Sequence, residues 1–189
     1  PGLTLHPTGT VGFRGAGMRE AVLDDVPAAP ADILGGETGQ GAAQIAFLQA
    51  MDHLAQAAIG VGMAQGAYRY AARYAGERVQ FGQPLVQFEA VRHMLVDLAV
   101  EVETARLLLY RACWLADAGQ PFALSAAMAH LRATALARQA GTHAVQILGG
   151  YGYMAEYDAA RALRDSLTLL SGIETPEVVK NSVGEMLGL

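Results

Sequence analysis

Arg78 has the setting that most invites a ligand. It stands in the string Glu77-Arg78-Val79-Gln80-Phe81-Gly82-Gln83-Pro84-Leu85, where Gly and Pro mark a loop. A loop guanidinium offers paired N–H donors that can grip a pyrophosphate, or it can cap the loop at the surface. A second such place is Gly149-Gly150, where bare backbone lets a nucleotide come close but equally serves as a helix C-cap. Thr175-Pro176-Glu177 reads as N-cap, first helical residue and dipole-favoured acid, so a hydroxyl and free amides face outward there. Asp52 shares a helical stripe with Ile45, Leu48, Ala55, Ile59 and Gly62. An unpaired carboxylate on an apolar stripe is costly and suits a working base; pairing with a neighbouring Arg or His is the alternative.

Other side chains point to less. Cys113 is the one cysteine, so no internal disulfide forms, and its helical, apolar setting predicts a buried inert thiol. The cytoplasm is the default compartment for such a chain. His93, His130 and His143 are read as sitting on separate helices without ligand spacing, and no zinc site is expected. Tyr151 and Tyr153 are expected at the end of the bundle, and Trp114 in the core or an interface. Net charge is −5 and Lys180 is the sole lysine, so concentrated positive charge for nucleic acid is lacking.

The elements that must hold these residues follow from pattern. With 52% hydrophobic and 16% charged residues in a chain of 189, a packed core is expected rather than disorder. Mean hydropathy is positive, yet the stretch from Leu54 to Ala67 is interrupted by Gln56 and Gln65 and reads as a buried helix rather than a membrane span. No signal peptide is visible from Pro1 to Arg14, and a start without methionine fits a fragment or a trimmed chain. Leu3–His6 and Glu20–Leu23 look like short strands around a turn at Gly12–Gly17. Two such strands do not make a stable sheet alone. The spacing then predicts helices over about 41–75, 87–118 and 123–148, a shorter one over 158–169, and a last one from Thr175. In the second, Phe88, Val91, Leu95, Leu98, Val102, Ala105, Leu109 and Ala112 form one stripe over roughly eight turns. Arg92, Asp97, Glu101 and Glu103 lie opposite as a solvated face. The expected fold class is all-α, an antiparallel up-down four-helix bundle preceded by a short β/loop segment.

Four strings, in order, resemble one family. Gly12-Phe13-Arg14-Gly15 with Val22-Leu23-Asp24-Asp25-Val26-Pro27 is similar to the close of the β domain of acyl-CoA dehydrogenases. Arg78 to Leu85 resembles that family's Arg-x-x-Phe-Gly-x-Pro-Leu, and Gln146 to Gly152 its Gln-x-x-Gly-Gly-x-Gly. Arg164-Asp165 followed by Thr175-Pro176-Glu177 resembles its C-terminal signature. The resemblance divides the chain into a remnant of a middle β domain (1–27), a linker (28–41) and the C-terminal four-helix bundle (42–189). It implies that an N-terminal helical domain and the body of the β domain belong to the full protein.

The resemblance also implies a function: α,β-dehydrogenation of an acyl-CoA thioester with FAD as hydride acceptor, in a homo-oligomer that passes electrons to an electron-transfer flavoprotein. Arg78 would contact the FAD of a neighbouring subunit, Phe81 would pack on it and Gln80 would hydrogen-bond nearby. Gln146, Gly149 and Gly150 would form a second cofactor patch, and Thr175 would serve the flavin side. Glu89 stands where a glutamine is common. Many members place the catalytic glutamate directly before Gly-Thr. Counting from Arg164-Asp165 puts Ile173 there, with Glu174 one position later. A second family solution puts the base on the first long helix before an arginine; the matching pair is Asp52-His53. Glu174 and Asp52 are therefore the alternative bases. A non-catalytic assembly subunit, or a helical binding protein unrelated to flavin, remains the competing reading.

Overall fold

A computed structural model describes residues 2–172 and 174–189. Pro1 and Ile173, the position that counting assigns to the base, lie outside the described residues.

Among the described residues six α-helices form the body: α1 (Gly41–Glu77), α2 (Glu89–Asp117), α3 (Ala123–Leu148), α4 (Gly150–Tyr153), α5 (Asp158–Ser166) and α6 (Pro176–Leu187). Helix α3 is central and packs on α1, α2, α5 and α6. His53 lies beside His130 and Gly60 beside Ala133, so α1 and α3 run the same way. Short connections send α2 in the opposite direction between them. The fourth column is not one helix. It is α5, a 3-10 turn over Leu167–Leu170, and α6 in tandem. This is the expected up-down bundle, with helix ends within a residue or two of prediction except that the segment predicted over 158–169 leaves the α-helix at Ser166. Two small elements escaped the pattern: the single turn of α4, and a hairpin of β3 (Val79–Gln80) with β4 (Gln83–Pro84) inside the predicted loop.

The core explains one reversed expectation. The buried face of α1 is Ala50, Leu54, Ala57, Val61, Ala64, Ala67, Ala71 and Ala75. The predicted stripe of Ile45, Leu48, Ala55 and Ile59 faces outward, with Gly62 beside it and Asp52 half-buried. The facing side of α3 is also small: Ala126, Ala129, Ala133, Ala137, Ala140 and Ala144. Small against small brings two helix backbones close, and dense contact then replaces side-chain volume. A Cβ added at Gly60 would sit 2.9 Å from the Cβ of Ala133. Reading the largest residues as the core therefore picks the wrong side of an alanine-rich helix.

On α2 the predicted stripe is buried from Leu95 to Ala112. Its outer face is not purely solvated. Val96, Val100, Leu107, Tyr110 and Trp114 are exposed there, Trp114 by 64%, which removes it from the core. Glu101 pairs with Arg132 of α3 rather than with solvent alone. Cys113 is only part-buried, against the core edge. His130 and His143 share α3 instead of occupying separate helices.

Strands β1 (Leu3–Pro7) and β2 (Arg19–Leu23) pair antiparallel, and every residue of both is exposed. Their connecting turn is keyed to α5. The Phe13 amide donates to the Asp165 carboxylate at 2.6 Å, and a Cβ at Gly12 would fall 2.2 Å from the Arg164 carbonyl oxygen. Only glycine passes there.

Candidate functional site

The predicted site residues fall at two places along the bundle. From His53 to the end of α1 at Glu77 the helix spans roughly 36 Å at 1.5 Å per residue. One place is built around Glu174, the other around Arg78.

At the first, Gln49 and His53 stand one turn apart on α1 and reach the same carboxylate. The Gln49 amide donates to Glu174 Oε1 at 3.2 Å, and His53 Nε2 lies 2.9 Å from Glu174 Oε2. Both partners are withdrawn from water, with side chains 8% (His53) and 15% (Glu174) exposed. A Cβ added at Gly172 would come within 3.3 Å of the side-chain amide of Gln56, a turn further along α1. Behind His53 the ring of His130 meets it edge-on, centroids 5.1 Å apart. Both His130 ring nitrogens and the Thr134 hydroxyl are buried without a hydrogen-bond partner among the described residues. Burial holds the His130 imidazole below the usual histidine range, the neighbouring His53 adds to this, and Asp52 and Glu174 oppose it. His130 is therefore a neutral ring at pH 7.

Of the two candidate bases, only Glu174 is drawn into this cluster. Asp52 sits half-buried beside it and makes no hydrogen bond or ion pair among the described residues. Thr175 takes the N-cap position of α6 but not through its hydroxyl: its carbonyl accepts from the Val179 amide at 3.1 Å. Its exposed side chain is left for other contacts.

At the second place, Arg78 ends α1. Its amide donates to the Tyr74 carbonyl, and its own carbonyl accepts from Leu85, closing the β3–β4 hairpin. The hairpin turns through Phe81-Gly82, with φ of 51° and 83°. Positive φ at both central residues is the turn that suits the twist of a two-stranded ribbon. It carries Phe81 to the tip, 93% exposed, with only an edge contact to Phe88. The Arg78 guanidinium lies over the Tyr151 ring, 5.4 Å from its centroid. It lines a cleft of about 550 Å³ with Tyr74, Gln80, Gly149, Gly150 and Tyr151. The two glycine and arginine motifs, 71 positions apart in the chain from Arg78 to Gly149, thus share one groove. Gly149 has φ 59° and ψ −132°, and a Cβ there would meet nothing within 4 Å, so the backbone is bare toward the cleft. Gln146 does not line this groove; it is exposed on the last turn of α3, where its carbonyl accepts from Gly149. Gln80 spends its amide on the Val79 carbonyl. Burial raises the Tyr74 phenol above its ordinary range, with Arg78 opposing, so it stays a neutral hydroxyl. Glu89 is largely exposed and lies 3.5 Å from His93, one turn along α2.

Sequence reading missed Gln49, His130 and Tyr74 as parts of these places. Gln49 and His53 do carry a signal, being a polar pair at i, i+4 in an otherwise alanine-rich helix. Tyr151 was expected at the bundle end but not beneath Arg78.

The comparisons agree in family. Residues 39–187 match the model of the acyl-CoA dehydrogenase C-terminal domain. A probable acyl-CoA dehydrogenase YngJ of Bacillus subtilis is 39% identical over 99% of this chain and 49% of its own length. The human mitochondrial short-chain specific acyl-CoA dehydrogenase is 39% identical over 88% of this chain and 40% of its own. The structure of butyryl-CoA dehydrogenase from Megasphaera elsdenii superposes with a TM-score of 0.96 at 34% identity, covering all of this chain and 49% of that one. The chain spans about half the length of the relatives it matches. In sequence, in fold and in the order of its motifs, this chain belongs to the acyl-CoA dehydrogenase family and comprises its C-terminal domain.

Proposed function

We propose that the chain forms one wall of an acyl-CoA dehydrogenase active site, in an enzyme that removes the α-proton and β-hydride of an acyl-CoA thioester. The single observation that carries this reading is the convergence of Arg78, Gly149 and Gly150 on one open groove. The residues fit a dinucleotide's pyrophosphate: a guanidinium with free N–H edges, bare glycine backbone and a neutral tyrosine floor. FAD, when bound, supplies hydride acceptance. Arg78 would hold its pyrophosphate, and Gly149 and Gly150 would line its approach. The exposed Phe81 at the hairpin tip would cover it, and Gln146 would lie at the margin. Because the Glu174 region lies far along the bundle from Arg78, the reading requires that each chain serve two cofactors through two ends. That in turn requires at least a homodimer. Exposed Val96, Val100, Leu107, Tyr110 and Trp114 on α2 supply an apolar surface for it.

Glu174 is the base in this reading, and Asp52 the alternative; Thr175 would lie on the flavin side. The β1–β2 hairpin is the trailing edge of a β domain (1–27), joined by the linker 28–41 to the bundle 42–189. An electron-transfer flavoprotein as acceptor, a role in fatty acid metabolism and a cytoplasmic location complete the proposal. Assembly with the N-terminal and β domains and FAD, followed by dye reduction with acyl-CoA substrates, tests it; no reduction across chain lengths would reject it. A second reading, a non-catalytic assembly subunit, draws support from the occupied oxygens of Glu174. It fails if substitution of Glu174 or Asp52 abolishes turnover in an intact assembly.

A further inference from the structure

We propose that His53 is a positioning residue for Glu174: its imidazole holds in place the carboxylate that accepts the proton at this end. The inference rests on the reading above that the Glu174 end faces the substrate. It starts from an arithmetic of donors. Glu174 has two oxygens, and each already has one partner from α1: Gln49 on Oε1 and His53 on Oε2. A carboxylate on the segment before a helix would ordinarily swing with its backbone. This one is held by Gln49 and His53, one turn apart on α1. Fixing a base in place removes the conformational search that precedes proton transfer.

The chemical nature of the clamp matters as much as its position. A guanidinium at position 53 would donate at any pH and keep the carboxylate ionised. An imidazole also donates through its N–H, but its charge, unlike that of a guanidinium, can change with pH. Nε2 is turned to the carboxylate, which makes Nε2 the N–H nitrogen of the neutral ring and leaves Nδ1 as its acceptor. The groups that face this pair are few. From α1 they are Gln49 and Asp52, and from α3 the neutral ring of His130. His130 is 1% exposed and packs edge-on, so it shapes His53 without supplying a competing cation. Asp52 adds a negative charge nearby but does not bond to either partner. The proton taken from substrate would enter on a Glu174 oxygen, while Nε2, already carrying its hydrogen, holds the carboxylate by donation across 2.9 Å.

The test has two arms. In the first, imidazole nitrogen NMR of the purified chain reads the His53 ring directly. An Nε2–H tautomer hydrogen-bonded to a carboxylate is expected, and E174Q should shift the Nε2 signal while leaving His93 unmoved. A His53 signal insensitive to E174Q overturns the pair. In the second, H53A and H53Q are assayed in the assembled, FAD-loaded enzyme. H53A should lower kcat by about tenfold or more, with KM within about twofold, because a positioned base is lost but not a binding contact. H53Q keeps a donor to Glu174 and should restore most of kcat, but its kcat–pH profile should lack one ionisation. If E174Q leaves turnover intact, the base reading fails while the NMR result still judges the pair. If E174Q abolishes turnover but H53A leaves kcat and its pH profile unchanged, the positioning role is overturned. H53Q guards against a folding artefact, since it fills the site.

Discussion

The two ends of the bundle solve opposite problems with similar raw material. At the Glu174 end Gln49 and His53 close on the carboxylate from α1, with the buried ring of His130 behind them. At the Arg78 end the polar groups are turned outward along an open groove, and the hairpin tip carries an aromatic side chain almost fully into solvent. The first arrangement supplies partners for both oxygens of its carboxylate from within the chain. The second is incomplete without something else to touch. A closed cluster contributes to stability whatever binds; an open one contributes to stability only once occupied.

That contrast can be broken or sharpened by substitution. The largest expected effect is at the closed end. H53A removes one partner of a buried carboxylate and should destabilise the fold by about 2–4 kcal/mol in a denaturant melt, since the surviving charge keeps its desolvation cost. Next is G149A at the open end, where φ of 59° with ψ of −132° is tolerated by glycine. It should cost about 1–2 kcal/mol through backbone strain, even though its added methyl meets no neighbour. An equal loss for G149A and H53A would erase the distinction between the ends. A pH effect comes third. His130 is held below the usual histidine range by burial, so the unfolded chain binds a proton more readily than the folded one. Its contribution is intact above about pH 6.5 and is lost as pH falls from there toward the folded value. H130L should flatten that limb in melts taken across the interval. The smallest effect is R78A, which should cost no more than about 0.5–1 kcal/mol in the isolated chain, the worth of its contact with the Tyr151 ring. Its flavin affinity in the assembled protein should nevertheless fall by about tenfold or more. If R78A unfolds the chain, the open end is structural after all.

How much of this the sequence discloses depends on the range of the interaction. Helix α3 was legible, because the Gly119-Gln120-Pro121 break and the Gly149-Gly150 pair bracket it and the pattern between is local. The buried stripe of α2 was legible because large residues mark it. The core face of α1 was not, since volume is the usual guide and here the buried residues are the small ones. The groove was half legible: its two motifs could be seen, but not that they adjoin. Least visible was the clamp on Glu174, whose partner His53 lies 121 positions away in the chain. Nothing in a one-dimensional pattern couples such distant positions. Counting alone pointed at Ile173, and a carboxylate one position further on found its partners only through the docking of the segment before α6 against α1.

The length of α1 between His53 and Arg78 has a genetic consequence. If every working site draws its closed end from one chain and its open end from another, two defective alleles need not be defective together. A strain expressing both R78A and E174Q would assemble some sites from the intact ends of each and recover activity that neither allele gives alone. Mutations at the same end would never rescue each other, so crosses sort the residues of this domain into two complementation groups.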